Sequence, residues 1–454
     1  MKKTSYLEKK KQLIKEFAEI QGNKSKIALG KKTTNLFRGH RKNQEKKRLN
    51  VRNFNEVINI DSKNQTAEVE GMTTFETFVT ATLKKGFVPP VAPELKSITV
   101  GGAISGIGIE SSCFKYGFVH ETVLEMDILI GTGEIITCSP KKNSDLFYAI
   151  PNSYGTLGYV LRAKLILTPA KKYVKIIRKK YTDYEKYINE MKKYTIDARK
   201  NKTYDYIDGL VFKENEMYLH LGKFTNNPDF VSDYTKMNIF YKSMNKKIDF
   251  IKTEDYIFRY DTDWFWSAKS IGLENPILRR IFYMMGWLRS DVYRKILAWE
   301  NKHQFQAKFN QKKGKLFESL IQDAEVELKD AAEFLSWFHK NITQRRPLTI
   351  GPVIPYSKTA HFTLFPMNPK KIFINIGYYA SIVTDDSKPK DYYNRLFDEK
   401  IIKLKAKKMM YSHSTFTKKE FWNIFNKKAY DKLKAKYDPK SVFPDLYDKC
   451  VLKR

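Results

Sequence analysis

The stretch from Thr99 to Gly117, TVGGAISGIGIESSCFKYG, constrains this chain more than any other. Small residues dominate it, so the backbone can approach a ligand closely and present N–H groups where side chains would otherwise stand. A Rossmann reading of GGAISGIG fails on context, because that fingerprint opens a helix within a βαβ unit near the start of a chain. Here IESSCFKYG follows, without helical periodicity and without an N-cap leading into an apolar face. The segment reads as a loop of backbone donors suited to a pyrophosphate, with hydroxyls from Ser105, Ser111 and Ser112 beside Gly101, Gly102, Gly106 and Gly108. A plain glycine-rich turn is the alternative.

Two further small-residue loops flank it. One is GKKTTN, with Thr33, Thr34 and Asn35; the other is NSYGTLGY, with Gly155, Thr156, Leu157 and Gly158, which feeds a strand. Three such loops before Tyr159 point to a ligand with one long phosphate-bearing tail held at several places.

Around these loops the pattern is mixed α and β. A basic amphipathic helix is expected around Leu7–Ile20, short strands from 49 to 69 (NEVINID, TAEVEG), and a helix over Thr74–Leu83 with Phe75, Phe78 and Val79 on one face. Pro89 and Pro90 start an extended segment. VLEMDILIG and EIITCS form a hairpin through Thr132 and Gly133, and DLFYAI is a short helix. Composition shifts at Ala170–Lys172. Beyond it, strands are expected at YVKIIRKKY, IDGLVFK, EMYLHLGKF, HFTLFP and KIFINIGYYA, helices at 183–193 and 323–340, and one helical pattern in KKEFWNIFNKKAYDKLKAKYD.

The net charge is +33, from 83 Lys and Arg against 50 Asp and Glu. Such an excess fits an anionic membrane surface or a phosphorylated cofactor; the abundance of Lys, Asn, Ile, Tyr and Phe equally fits a general compositional bias, and nucleic acid is the less favoured partner. Cys113, Cys138 and Cys450 lack metal-ligand spacing, so neither a zinc site nor a disulfide framework is expected. The charged N-terminus lacks a signal peptide's apolar core, and no apolar run approaches the roughly 20 residues of a membrane span. The expected setting is cytoplasmic, with peripheral membrane contact left open. One segment stands out for such contact: ILRRIFYMMGWLRSDVYRKIL mixes Ile277, Leu278, Ile281, Phe282, Met284, Met285, Trp287 and Leu288 with Arg279, Arg280, Arg289, Arg294 and Lys295. A helix packed on the sheet with solvated arginines is the other reading.

The order T-x-G-G…G-x-G-I-E-S-S…K-Y-G, then S-D-L-F-Y-A-x-P-x-S-x-G-T-L-G, then P-A-K-K-Y-V resembles the delta-24 sterol reductase (Diminuto/seladin) family. NPILRRIFYMMGWL, KIFINIGYY and KEFWNIF…AYDKLKAKY…VFPDLYDK extend the resemblance across nearly the whole chain from about residue 28. It implies an α+β architecture: a vanillyl-alcohol-oxidase-type (p-cresol methylhydroxylase type) FAD-binding domain over 1–170, an inserted α+β cap (substrate) domain over 171–400, and a C-terminal segment, 401–454, returning to the FAD domain. By the same resemblance, Thr33, Thr34 and Asn35 form the first phosphate loop. Gly101, Gly102, Ser105, Gly106, Gly108, Ser111 and Ser112 line the pyrophosphate and ribityl chain, and Gly155, Thr156, Leu157 and Gly158 approach the adenine side or ribityl tail. His40 is displaced from the first loop, so non-covalent FAD is expected.

The implied reaction is reduction of a lipid carbon–carbon double bond, in a sterol or another lipid, with NADPH or NADH as donor. Animal and plant members carry a membrane anchor that this sequence lacks, and a bacterial branch is similar to reductases of methylene-branched fatty acyl chains. An FAD oxidase of an alcohol or sugar lactone is a further alternative. Alkene reduction requires a proton donor, and the candidates are Tyr411, His413 and Glu110, with Tyr378 and Tyr379 behind them. Cys113 reads as a small filler residue beside the loop. Trp264, Phe265 and Trp266 either wall an apolar substrate or are core.

Overall fold

The computed structural model describes residues 4–22, 26–31, 47–303, 316–342, 346–357, 361–384 and 387–453. Two β-sheets dominate. The smaller is antiparallel and five-stranded, in the order Val57–Asp61, Thr66–Glu70, Tyr159–Ile166, Val123–Leu129, Ile135–Cys138. The larger, also antiparallel, has eight strands in the order Ile248–Lys252, Tyr173–Tyr181, Glu216–Thr225, Tyr206–Lys213, Leu348–Val353, Phe373–Thr384, Leu316–Glu327, Lys407–Lys408. Its first strand in sequence begins at Tyr173, just past the composition break at Lys171.

The N-terminal helix Tyr6–Gly22 buries Leu13, Phe17 and Ile20 against Leu129, Tyr159 and Leu161 of the smaller sheet. Its polar edge is fixed by a buried Lys9–Glu70 ion pair at 2.9 Å and by the Tyr6 hydroxyl donating to Asp127 at 2.8 Å. Helix Phe75–Leu83 starts where the Thr74 side chain accepts from Thr77 N–H, and it buries Phe75, Phe78, Val79 and Thr82 at helical spacing. The hairpin between Leu129 and Ile135 turns at Gly133, whose φ of +92° only glycine adopts without strain.

Four expectations change. GGAISG is not a loop: Val100–Ser105 forms a short helix, and the loop begins at Gly106. The helix expected over 323–340 divides, because Leu316–Glu327 is a long strand and the helix starts at Leu328 and ends at Asn341. Acidic Asp323 and Glu325 sit buried on that strand, which disguises the alternation a half-buried strand normally shows. HFTLFP forms no strand; Phe362 and Phe365 instead pack as aromatic plugs against His120 and Phe118. The C-terminal helical pattern breaks at Phe425–Asn426 into Lys418–Ile424, opened by a Thr417–Glu420 capping box, and Lys427–Tyr437, capped by Asn426.

After Lys407–Lys408 has joined the larger sheet, the end of the chain reaches the loops around the smaller one. Lys434 Nζ reaches the carbonyls of Thr156 (2.7 Å) and Phe443 (2.9 Å), Gly131 N–H donates to Tyr437 O at 2.8 Å, and Lys436 pairs with Asp145 at 2.7 Å.

Candidate active site

The segment expected to form the first phosphate loop, with Thr33, Thr34 and Asn35, and the nearby His40 lie outside the described residues. The other two small-residue segments are brought together. Tyr154 N–H donates to Ser105 O at 3.0 Å, and the Tyr154 hydroxyl reaches Gly106 O at 3.3 Å and accepts from Met410 N–H at 2.8 Å. The turn from Asn152 to Gly155 is strained: Asn152 (φ +64°), Tyr154 (+49°) and Gly155 (+72°) all lie in the left-handed region. Within it, Ser153 Oγ and Asn152 Oδ1 are buried and have no hydrogen-bond partner among the described residues. A buried polar atom left unpaired costs about 1–3 kcal/mol, so a polar ligand here fits the residues present.

The glycines answer first to the protein's own packing. A Cβ on Gly108 would lie 2.6 Å from Val119 Cγ2 and 2.9 Å from Ala103 Cβ, and one on Gly158 would lie 2.5 Å from Ile128 Cγ2. Ser105 Oγ donates to Gly101 O at 2.8 Å and Ser112 Oγ to Pro90 O at 2.7 Å, so these hydroxyls already have partners. Thr156 Oγ1 likewise bonds Ser153 O at 2.8 Å, and Leu157 is wholly buried.

Beyond the glycine segment, Glu110 is a structural tie. Its Oε1 accepts from Ser111 N–H at 2.7 Å, from Ser111 Oγ at 2.5 Å and from Arg259 at 3.1 Å. Arg259 is fully buried. It also donates to Asp208 at 2.7 Å and Glu94 at 3.3 Å, and its guanidinium lies 4.4 Å from the Tyr256 ring centre. Burial pushes the Glu110 carboxyl up despite Arg259. Burial also works against ionisation of Asp208, but Arg259 and His220 outweigh it and hold that carboxyl down at about 2. Ile207 N–H donates to Ser111 O at 2.8 Å, so this knot docks the segment after the glycines onto the larger sheet. Cys113, next to it, is buried in the apolar core with its thiol pushed up by burial, as a filler would be.

A second polar cluster was not found from the sequence, except for its tyrosines. Strands Leu316–Glu327 and Phe373–Thr384 pair so that Asp323 stands opposite Gly377 and Glu325 opposite Asn375. Asp323 Oδ2 accepts from the Tyr411 hydroxyl at 2.7 Å and from that of Tyr379 at 3.2 Å, the two hydroxyls are 3.1 Å apart, and Asn375 Nδ2 donates to Asp323 Oδ1. Burial raises the Asp323 carboxyl to about 6, although its three donors oppose the rise. Burial and the Asp323 charge push both phenols well up. Glu325 Oε2 is buried and without a partner among the described residues. Its carboxyl too is pushed up by burial.

Aromatic rings back this cluster. Phe265 stacks on Tyr379 with centroids 4.2 Å apart and planes 6° from parallel, and Trp266 Nε1 donates to Tyr379 O at 2.5 Å. Trp264 (φ +43°) and Phe265 (φ +58°) are held in left-handed backbone, which bulky side chains disfavour. All three WFW aromatics are buried. Tyr378 points to the opposite face of its strand, edge-on to Phe338. His413 is not part of the cluster: its Nε2 faces Asp391 at 3.3 Å, and only its carbonyl touches the neighbourhood, accepting from Lys408 and Gln322.

The strained turn beside the glycine segment and the buried acid–tyrosine cluster backed by core aromatics are the setting for the comparisons with known proteins. Residues 5–139 match a family model described as an FAD binding domain. Over 130 residues the chain is 38% identical to cytokinin dehydrogenase 4 of Oryza sativa subsp. japonica, covering 29% of this chain and 24% of that one. The chain is an FAD-dependent oxidoreductase with an FAD-binding domain of the p-cresol methylhydroxylase type. Along nearly all its length it resembles the delta-24 sterol reductases. It is 28% identical to the Delta(24)-sterol reductase of Homo sapiens, over 96% of this chain and 84% of that one, and 24% identical to that of Arabidopsis thaliana, over 87% and 75%.

Proposed function

We propose that this flavoprotein reduces a carbon–carbon double bond in a sterol or other lipid, taking electrons from NADPH or NADH. The observation that carries the reading is likeness to Delta(24)-sterol reductases over 96% of the chain, well beyond the FAD-binding region. In this reading residues 1–170 bind FAD, 171–400 form the cap over the substrate, and 401–454 return to the FAD domain. FAD, bound without a covalent link, would be held by the turn at Asn152–Gly158 and the segment Gly101–Ser112, with Thr33, Thr34 and Asn35 as the first phosphate loop.

Bound FAD supplies the hydride that one alkene carbon receives. The chain must supply a proton to the other carbon and keep water out, because an isolated alkene is barely polarised. We assign the proton to Tyr411, with Asp323 and Tyr379 behind it. The phenol of Tyr411 is too weak an acid to ionise alone in its buried place. It acts as a relay: once Asp323 is protonated the 2.7 Å Tyr411–Asp323 hydrogen bond reverses, and as the Tyr411 proton leaves for carbon the carboxyl proton replaces it. Phe265 and Trp266 fix Tyr379 and present an apolar wall. Glu110 and His413 are assigned no proton-transfer role, Glu110 because its Oε1 is tied to Arg259 and Ser111, His413 because its ring faces Asp391.

Anaerobic mixing with NADPH or NADH tests the proposal. Bleaching of the flavin by the nicotinamide, and reoxidation by a sterol or methylene-bearing lipid, is the expected result. Bleaching by an alcohol or lactone alone would assign the oxidase chemistry instead.

A further inference from the structure

Helix Pro276–Met284 is amphipathic the wrong way round for a soluble surface. Its one buried residue is Arg279, 1% exposed, whereas Ile277 and Met284 are 72% and 76% exposed. Ile277, Ile281 and Met284 fall at i, i+4 and i+7, on one face. Arg279 points inward: its guanidinium pairs with the buried Asp263 at 2.5 Å and donates to the carbonyls of Lys236 (2.7 Å) and Asn238 (3.2 Å). Leu278 and Phe282 pack on the core beside it. The Asn275 cap and Pro276 at the first turn fix where the helix begins. The orientation is therefore set by a buried ion pair and leaves the apolar face outside.

The exposed face continues past the helix. Met285 and Trp287, in the turn that follows, are exposed, as are the basic Arg280 on the helix and Lys295 on the next helix, Ser290–His303. A lone exposed leucine is ordinary, but a contiguous set of Ile, Met and Trp is an interaction surface. Aromatic and aliphatic side chains ringed by Arg and Lys suit the boundary of an anionic bilayer, where apolar groups enter the acyl region and cations meet the head groups. A protein partner would have to match both features; an anionic lipid surface offers them without further specificity, and the chain's net charge of +33 has the complementary sign.

We infer that helix Pro276–Met284 and the turn to Trp287 dock this protein onto an anionic lipid membrane, with Ile277, Ile281, Met284, Met285 and Trp287 inserted and Arg280 and Lys295 on the head groups. This goes beyond the redox reading and does not depend on it. Phe282, Leu278 and Leu288 take no part, since they face the core. Among the described residues no helix is long and apolar enough to cross a membrane, so the contact is one of insertion from the side.

Flotation of the full chain with phosphatidylcholine vesicles, with and without phosphatidylserine, tests the inference. The wild type should float with the phosphatidylserine vesicles and be released by salt. The exposed triple variant Ile281→Ser, Met284→Ser, Trp287→Ser should lose at least about tenfold in binding, and Arg280→Ser with Lys295→Ser should lose binding to the anionic vesicles selectively. Urea unfolding of each variant checks that the fold is intact. Equal flotation of wild type and triple variant, or no flotation of the wild type, overturns the inference. Concentration-dependent dimerisation abolished by the triple variant would assign the face to a second copy of the chain and also overturn it. None of these readouts needs turnover, so an oxidase result in the stopped-flow experiment would leave this test standing.

Discussion

Tyr411 donates its hydroxyl hydrogen to Asp323 at 2.7 Å, joining positions 88 residues apart in sequence. The carboxyl lies on the next-to-last strand of the larger sheet and the phenol in the segment that follows Lys407–Lys408. Because Tyr379 shares the same carboxylate oxygen, the three groups form one hydrogen-bonded unit.

Tyr411→Phe should lower kcat by about 100-fold, the typical contribution of a positioned acid. Flavin bleaching by the nicotinamide should stay near the wild-type rate. Comparison of the reductive and oxidative half-reactions checks this.

Asp323 must be protonated to refill Tyr411, so kcat should fall as pH rises through about 6. Asp323→Asn should flatten that limb at a lower rate. Stability carries the same sign. A carboxyl raised in the fold contributes stability fully present below its unfolded pKa of about 4, and that contribution is lost as pH rises through about 6. The difference between wild type and Asp323→Asn in urea unfolding should therefore grow more unfavourable to wild type from pH 4 to pH 8.

Arg259→Met should destabilise the protein by about 3–5 kcal/mol at pH 7, since it strands Glu110, Asp208 and Glu94 without their cation. The carboxyl of Asp208, held at about 2 by Arg259 and His220, contributes stability above its unfolded value that is lost as pH falls through about 2. The penalty of the substitution should accordingly hold from pH 7 to about pH 4 and shrink between about pH 4 and pH 2, which unfolding at these three pH values measures.

Ser153→Ala should weaken FAD binding about tenfold, the worth of one hydrogen bond to a charged group, while leaving apoprotein stability unchanged or higher. The Ser153 hydroxyl is buried without a partner among the described residues, so its loss removes nothing the apoprotein uses. Titration of apoprotein with FAD and a thermal melt separate the two effects.

FAD should leave the protein on acid or heat denaturation. Flavin fluorescence retained on the washed precipitate would contradict a non-covalent mode.

Much of this was legible in the sequence because it is local. The Phe75–Leu83 helix with its Thr74 cap and the hairpin at Gly133 each follow from residues a few positions apart. The proton cluster was half visible. Tyr411 and Tyr379 were candidates, but Asp323 was hidden in a stretch read as a helix, since a strand with buried acids loses its apolar alternation. Glu110 was a candidate acid too, but its contact with Arg259, 149 residues away, could not be read from the sequence. His413 was separated from its neighbour Tyr411 by the local turn, which aims its ring at Asp391. The apolar segment after Pro276 was visible as amphipathic; which side faced out was not, because Asp263 decides it by drawing Arg279 inward. Sequence by itself determined the flavin-binding class and the local elements, since backbone preference and apolar periodicity act within a few residues. Tertiary structure alone decided which carboxyl is raised by burial, which is paired and which face is bare, because desolvation and ion pairing depend on groups that meet only when the sheets close.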